Sequence, residues 1–318
     1  MLNCVSLPRF PPMNSFKAIL LKLGSALLFA VMQTLVRWLG ETVPVGQLVF
    51  FRSAFAVLPV VLIYAWRHEL YAAIRTNHPL GHVSRGFTSV AGMFFNFAAL
   101  ARLPLVEATA ISFVSPLITV GFAALFLKER VRIYRWSAVA IGFLGVLVML
   151  APHLTLFSGA VATTSVVGAT LALAAAFTNA GAVIQTRRLT DTETTPAIVF
   201  YFSLFCAVGG LLTLPFGWHS PTAGQLTALI ALGICGGLAH ILLTESYRYA
   251  PASLVAPFDY SSMVWAFLLG YAVFGEVPTT AVFIGSAIVA GAGLFVLWRE
   301  RQLGLRRARE AEGPPTPT

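Results

Sequence analysis

Two ionisable side chains stand where ionisable side chains are costly. Arg52 interrupts the apolar run that follows Pro44, and Asp259 interrupts the run that follows Pro251. A charge inside a long apolar helix marks a solute path, a proton relay or a buried counter-ion. If both runs cross a bilayer, each residue lies eight positions in, from opposite faces, or about 12 Å deep at 1.5 Å per residue. In a hydrocarbon core about 30 Å thick, their depths then differ by only about 6 Å. The two could pair with each other or present a cation and an anion to a bound solute. The alternatives are an arginine bonding carbonyls at a helix break and an aspartate bonding Tyr260 or Ser261.

Weaker candidates surround this pair. Glu245 lies three residues before Arg248, a spacing that also permits an intrahelical pair. Glu107 falls in a first helical turn, where the dipole favours a carboxylate. His240 is near the middle of a run, as a ligand-facing group or a packed core residue. Gln33, Asn96 and Asn179 are neutral polar groups inside apolar runs, able to bind a solute or to hold helices together. Tyr260 and Trp265 could stack on a planar ligand. The candidate binding set is therefore Asp259, Arg52, Tyr260, His240, Glu245, Asn96, Gln33, Trp265 and Glu107. Glu129 and Glu276 end their runs and are expected to cap the helices that follow.

Catalytic chemistry has little support. The chain has no HExxH, GxSxG or GxxxxGK[ST], so metalloprotease, hydrolase and ATP-driven readings find no motif. Cys4, Cys206 and Cys235 are scattered, which speaks against a disulfide framework or a cysteine metal site. No cofactor or metal is expected. An intramembrane enzyme acting on a lipid or peptide, with Asp259 and Glu245 or His240 as its pair, remains the alternative.

The elements that must position these residues are membrane helices. Of 318 residues, 58% are hydrophobic and 10% charged, against about 25% charged in soluble domains. The net charge of +9 therefore reflects basic loops rather than a nucleic-acid partner. Ten runs reach the length of about 20 residues that a span needs: 16–38, 44–66, 84–102, 104–127, 133–151, 165–187, 196–216, 224–249, 251–274 and 279–298. Residues 1–15 read as disordered, with Met13 as an alternative start. Residues 152–164 read as a linker, and 299–318 as a basic disordered tail that lies against anionic headgroups.

The chain repeats itself. Pro104 and Pro251, Glu129 and Glu276, and Gly86 and Gly233 are all 147 residues apart. That offset divides the chain into five-span halves, 16–151 and 165–298. With both termini cytoplasmic, 18 of the 21 Lys and Arg lie on the cytoplasmic side, which sets the orientation. An odd number of spans per half then inverts the second half. The fold expected is all-α integral membrane, with ten transmembrane helices in two inverted five-helix repeats. Inverted repeats point to a secondary transporter with its site at the midplane between halves. The expected partners are a small-molecule solute, with protons as a second candidate, and the lipid bilayer. The protein is expected as a monomer or homodimer in the plasma membrane, a bacterial inner membrane.

The layout resembles the EamA type of the drug/metabolite transporter superfamily. Each half has a proline-led fourth helix ending in LKER (127–130) or FGE (274–276). A glycine-rich fifth helix follows, AVAIGFLGVLVML (138–150) or GSAIVAGAGLFVL (285–297). The resemblance implies alternating-access transport of an amino-acid, vitamin, drug or nucleoside-like metabolite through a cavity between the halves. FFRSAF (50–55) resembles the subgroup associated with riboflavin or S-adenosylmethionine.

Overall fold

A computed structural model describes residues 15–311 apart from 67, 69–70, 72–73, 77, 127–132, 156–159, 191, 250–257 and 260. Every regular element among them is a helix: α1 (Ser15–Leu39), α2 (Val45–Trp66), α3 (Pro79–Leu100), α4 (Leu105–Ser112), α5 (Val114–Phe126), α6 (Ile133–Thr155), α7 (Ala160–Thr190), α8 (Thr195–Leu211), α9 (Ala223–Tyr249), α10 (Ser261–Phe274) and α11 (Thr280–Ala311). Among the described residues, three stretches are long and apolar enough to cross a membrane: Phe16–Leu39, Thr164–Thr186 and Ala223–Leu243. Shorter apolar segments occupy α2, α4 with α5, α6, α8, α10 and α11.

Local chemistry explains several boundaries. Pro79 opens α3, where its missing N–H leaves no orphan donor. The Thr194 hydroxyl accepts the Ala197 N–H at the head of α8. Before α9, the Thr222 N–H donates to Gln225 Oε1 and the Gln225 N–H donates to Thr222 Oγ1, a reciprocal capping box. The fourth span breaks at Phe113, between α4 and α5. Pro116 explains the break, because it supplies no N–H for the Ser112 carbonyl four residues earlier.

Several expected boundaries move. The polar turn Pro79–His82 belongs to α3, so this helix begins five residues before the expected 84. The expected linker 152–164 is largely helical: α6 runs to Thr155 and α7 begins at Ala160. The tail expected to be disordered from 299 is helical to Ala311, as its Ala, Arg, Glu and Leu content favours. Residues 1–14, 312–318, Glu129 and Tyr260 lie outside the described residues.

The bundle is held by five main helix pairings. α1 packs on α9, α3 on α7, α6 on α11, and α2 on both α8 and α9. Close approach is permitted where a side chain is missing. A Cβ on Gly86 would lie 2.5 Å from Phe205 Cγ, and one on Gly233 would lie 2.3 Å from Phe55 Cβ. Both separations are far inside van der Waals contact, so the Phe205 ring takes the space at Gly86, and the Phe55 Cβ with the Phe51 carbonyl takes it at Gly233. The main apolar core lies at the end of the bundle away from Ser15. Leu39, Val43, Phe97, Leu100, Leu103, Leu105 and Val106 are all buried there.

Candidate substrate cavity

A cavity of about 460 Å³ opens below that core, within the range of small-molecule sites. Residues of α1, α2, α3, α4, α5, α7, α8 and α9 contribute to its wall. Along α3 it reaches from Arg85 to Phe97, about 18 Å of helix. It therefore runs from the middle of the bundle toward the end that carries Ser15, called here the terminal end.

Four of the expected site residues meet in this cavity: Arg52, His240, Asn96 and Gln33. Arg52 is 3% exposed. Its guanidinium carbon lies 5.4 Å from the centre of the Phe202 ring. Room for it comes from Gly236, where a Cβ would sit 3.3 Å from the Arg52 Nε. His240 stands edge-on to Phe29, with ring centres 4.9 Å apart, and to Phe202 at 6.2 Å. Gln33 Oε1 accepts the Thr109 hydroxyl at 3.1 Å.

The remaining candidates lie elsewhere. Asp259 lies outside α10, in a 3₁₀ turn with Phe258, is half exposed, and pairs with Lys22 Nζ at 2.6 Å. Arg52 and Asp259 therefore do not form the expected pair. Hydropathy counted inward from Pro251 could not register that α10 begins only at Ser261. Glu107 is buried in the first turn of α4, and neither it, Glu245 nor Trp265 is among the residues lining the cavity. Glu276 does not cap the helix that follows it. It reaches back to α4, where its Oε2 accepts the Leu105 N–H at 2.8 Å.

Arg85 was not among the expected site residues: it falls at the edge of the run 84–102 and was counted with the cytoplasmic cations, yet it is six residues inside α3 and lines the cavity. Its Nε donates to Thr186 Oγ1 at 2.7 Å and its Nη1 donates to the Ile198 carbonyl at 3.1 Å. Its guanidinium lies 5.2 Å from the Phe202 ring centre, so Phe202 takes cation–π contacts from two arginines. The signal that could have found it was Pro79, whose position marks the start of the helix. Asn179, with its amide donating to Ser115 Oγ at 3.1 Å, also lines the cavity. Lys22, likewise counted among the loop cations, is buried within α1.

The family match decides the class of molecule. The description "EamA-like transporter family" fits residues 16–151 and again 166–298. The chain belongs to the EamA-like transporter family. It is a multi-pass membrane transporter and not an enzyme, and the intramembrane-enzyme alternative finds no support among its relatives. The chain is 28% identical to an S-adenosylmethionine uptake transporter of Rickettsia bellii over 269 residues, covering 84% of this chain and 88% of the relative. It is 30% identical to a riboflavin transporter of Rhizobium johnstonii, covering 89% and 90%. It is also 30% identical to a pseudopaline exporter of Pseudomonas aeruginosa, covering 86% and 93%. A solved crystal structure superposes with a TM-score of 0.63 at 22% identity, covering 90% of this chain and 98% of its own, a likeness of fold alone.

Proposed function

We propose that this EamA-like transporter is an alternating-access carrier of a small polar or amphipathic metabolite, working in the plasma membrane with both termini cytoplasmic. Its cavity is the solute site, and the described conformation faces the cytoplasm. Two inverted five-helix units, 16–151 and 165–298, rock about that site. The relatives make riboflavin and S-adenosylmethionine candidate solutes, with protons as the candidate coupling ion. The carrier acts as a monomer or homodimer.

The pattern of helix pairing carries this reading. Exchanging each span for its counterpart in the other half turns α1 into α7, α2 into α8, α3 into α9 and α6 into α11. The α1–α9 contact then becomes the α7–α3 contact, α2–α8 and α6–α11 map onto themselves, and the α2–α9 contact becomes the less extensive α8–α3 contact. The 147-residue offset supports the same relation at finer scale. It relates Gly86 to Gly233, which admit Phe205 and Phe55 from the counterpart helices α8 and α2. It also relates the start of α5 at Val114 to the start of α10 at Ser261. Pseudo-symmetric inverted halves around a midplane site are the architecture of rocking carriers.

The test is chemical. Val277 and Ile133 are exposed, at opposite ends of the bundle. With an impermeant maleimide added outside intact cells, Val277→Cys should label and Ile133→Cys should not. Labelling of both from one side refutes the topology. Crosslinks that close either end should each stop flux, and flux that persists with one end locked would indicate a channel.

A further inference from the structure

The cavity holds two cations and no carboxylate. Arg52 and Arg85 both line it, and no Asp or Glu does so among the described residues. The Arg52 Nε and Nη1 are buried with no hydrogen-bond partner. Neither arginine is in any of the ion pairs among described residues. Burying a guanidinium at membrane depth without a counter-charge or full hydrogen bonding is strongly unfavourable. A packing role does not require that arrangement, because a neutral side chain would fill the same volume without the desolvation penalty.

The offset between the halves sharpens the point. The position equivalent to Arg52 is Val199 (199−52 = 147), and Val199 lines the same cavity. The position equivalent to Arg85 is Leu232, a fully buried apolar residue. The shared scaffold is therefore met by apolar residues in one half and by guanidinium groups in the other, so the arginines serve something that is not symmetric. A bound solute is such an object.

We propose that the solute carries an oxyanion, a carboxylate or a phosphate group, and that Arg52 receives it with Arg85 as the second cation. The inference rests on the carrier reading above and narrows its solute class. The guanidinium fork offers parallel N–H donors that match two oxygens of either group. Phe202, between the two arginines, holds their planes by cation–π contact and leaves the unpartnered Arg52 nitrogens for the ligand. The neutral body of the solute lies along the amides of Gln33, Asn96 and Asn179. A cationic solute without an acidic group is disfavoured, the opposite of the preference that a deep Asp259 would have set.

The test uses the full-length protein in proteoliposomes and matched probes that differ by one acidic group. Riboflavin 5′-phosphate is compared with riboflavin, S-adenosylmethionine with its carboxamide, and phenylpyruvate with phenylpyruvamide. Uptake and the rise in melting temperature on adding each probe are the two readouts. The acidic member of at least one pair should be favoured at least tenfold, and whether it is the phosphate or a carboxylate identifies the group. Arg52→Gln should remove that preference and Arg52→Lys should keep part of it. Ligand-free Arg52→Met should melt at a higher temperature than the parent, because an unpaired buried cation is gone; a structural arginine would lower it. Uptake of neutral members equal to the acidic ones, or a preference that survives Arg52→Gln, overturns the inference and leaves the carrier reading standing. Folded protein that takes up and is stabilised by none of the six probes overturns both.

Discussion

At one end of the α1–α10 contact, Lys22 meets Asp259 at 2.6 Å; at the other, Arg37 meets Glu276 at 2.7 Å. Lys22 and Arg37 are fifteen residues apart on α1, about 22 Å. The fourteen residues of α10 span about 21 Å, so both pairs close together with the helices side by side. The surroundings differ. The Asp259 side chain is 52% exposed, while Arg37 also donates to the Leu100 and Leu103 carbonyls and stacks over Phe274. Glu276 also holds the first N–H of α4, and the apolar core fills the space beneath. The terminal end is thus held at this contact by a half-solvated pair above a cavity, and the far end by a bonded network above a solid plug. Opening the far end must break several desolvated contacts at once, which makes it the demanding step of a rocking cycle.

The largest expected effect comes from Arg37→Met. Removing one partner of a mostly buried pair costs about 3–5 kcal/mol. In Arg37→Met, maleimide labelling of an introduced Leu103→Cys should speed up about a hundredfold to a few thousandfold, following about 1.4 kcal/mol per decade. Labelling no faster than in the parent would show that the plug alone keeps this end shut.

Leu103→Ala tests the plug itself. Leu103 is fully buried, and Gly168 of α7 is close enough that a Cβ there would lie 2.8 Å from its Cγ. Truncation should cost about 2–5 kcal/mol through lost burial and the residual cavity, measured as a lower melting temperature. A change near zero would mean that α4 and α7 collapse into the gap.

Glu276→Gln separates charge from hydrogen bonding. The amide has one oxygen for two donors, the Arg37 Nε–H and the Leu105 N–H, so one bond is lost and the expected cost is about 1–3 kcal/mol. A loss as large as that of Arg37→Met would place the weight on the ionic attraction instead.

The smallest effect is expected at the other end. Asp259→Asn removes one partner of a half-exposed pair, which solvent screens to about 1 kcal/mol or less. Labelling of cysteines near the terminal end should change by no more than about fivefold, with folding and solute affinity retained. Loss of solute binding in Asp259→Asn would return this carboxylate to the solute site and remove the contrast between the ends.

How much of this was legible follows the range of the interactions involved. Apolar length, the prolines at or just before helix starts, and the 147-residue offset are properties of the chain itself; the first two made the helices legible, and the layout carried the resemblance to the family that the match shows. Arg52, His240, Asn96 and Gln33, which line the cavity, were legible as candidates because a polar group within an apolar run is conspicuous wherever the run packs. Arg85 was not a candidate because the first turn of α3, Pro79–His82, is polar and reads as loop. Asp259 pairs with Lys22 rather than Arg52 because the packing of α10 on α1, which spacing does not record, sets its partner.

By itself, the sequence determined that this protein is a helical membrane protein, since no arrangement could hide 58% hydrophobic residues behind 10% charged ones in water, and its family resemblance added the transporter reading. It also determined where the fourth span breaks, because the missing N–H of Pro116 acts within one turn. Only the tertiary structure decided the partners of the charges: Lys22 with Asp259, Arg37 with Glu276, and Arg52 with the face of Phe202. Those choices depend on which helices lie side by side and at what height. Hydrogen bonds and ion pairs act over about 3–4 Å between residues more than a hundred positions apart, and spacing along the chain carries no record of that distance.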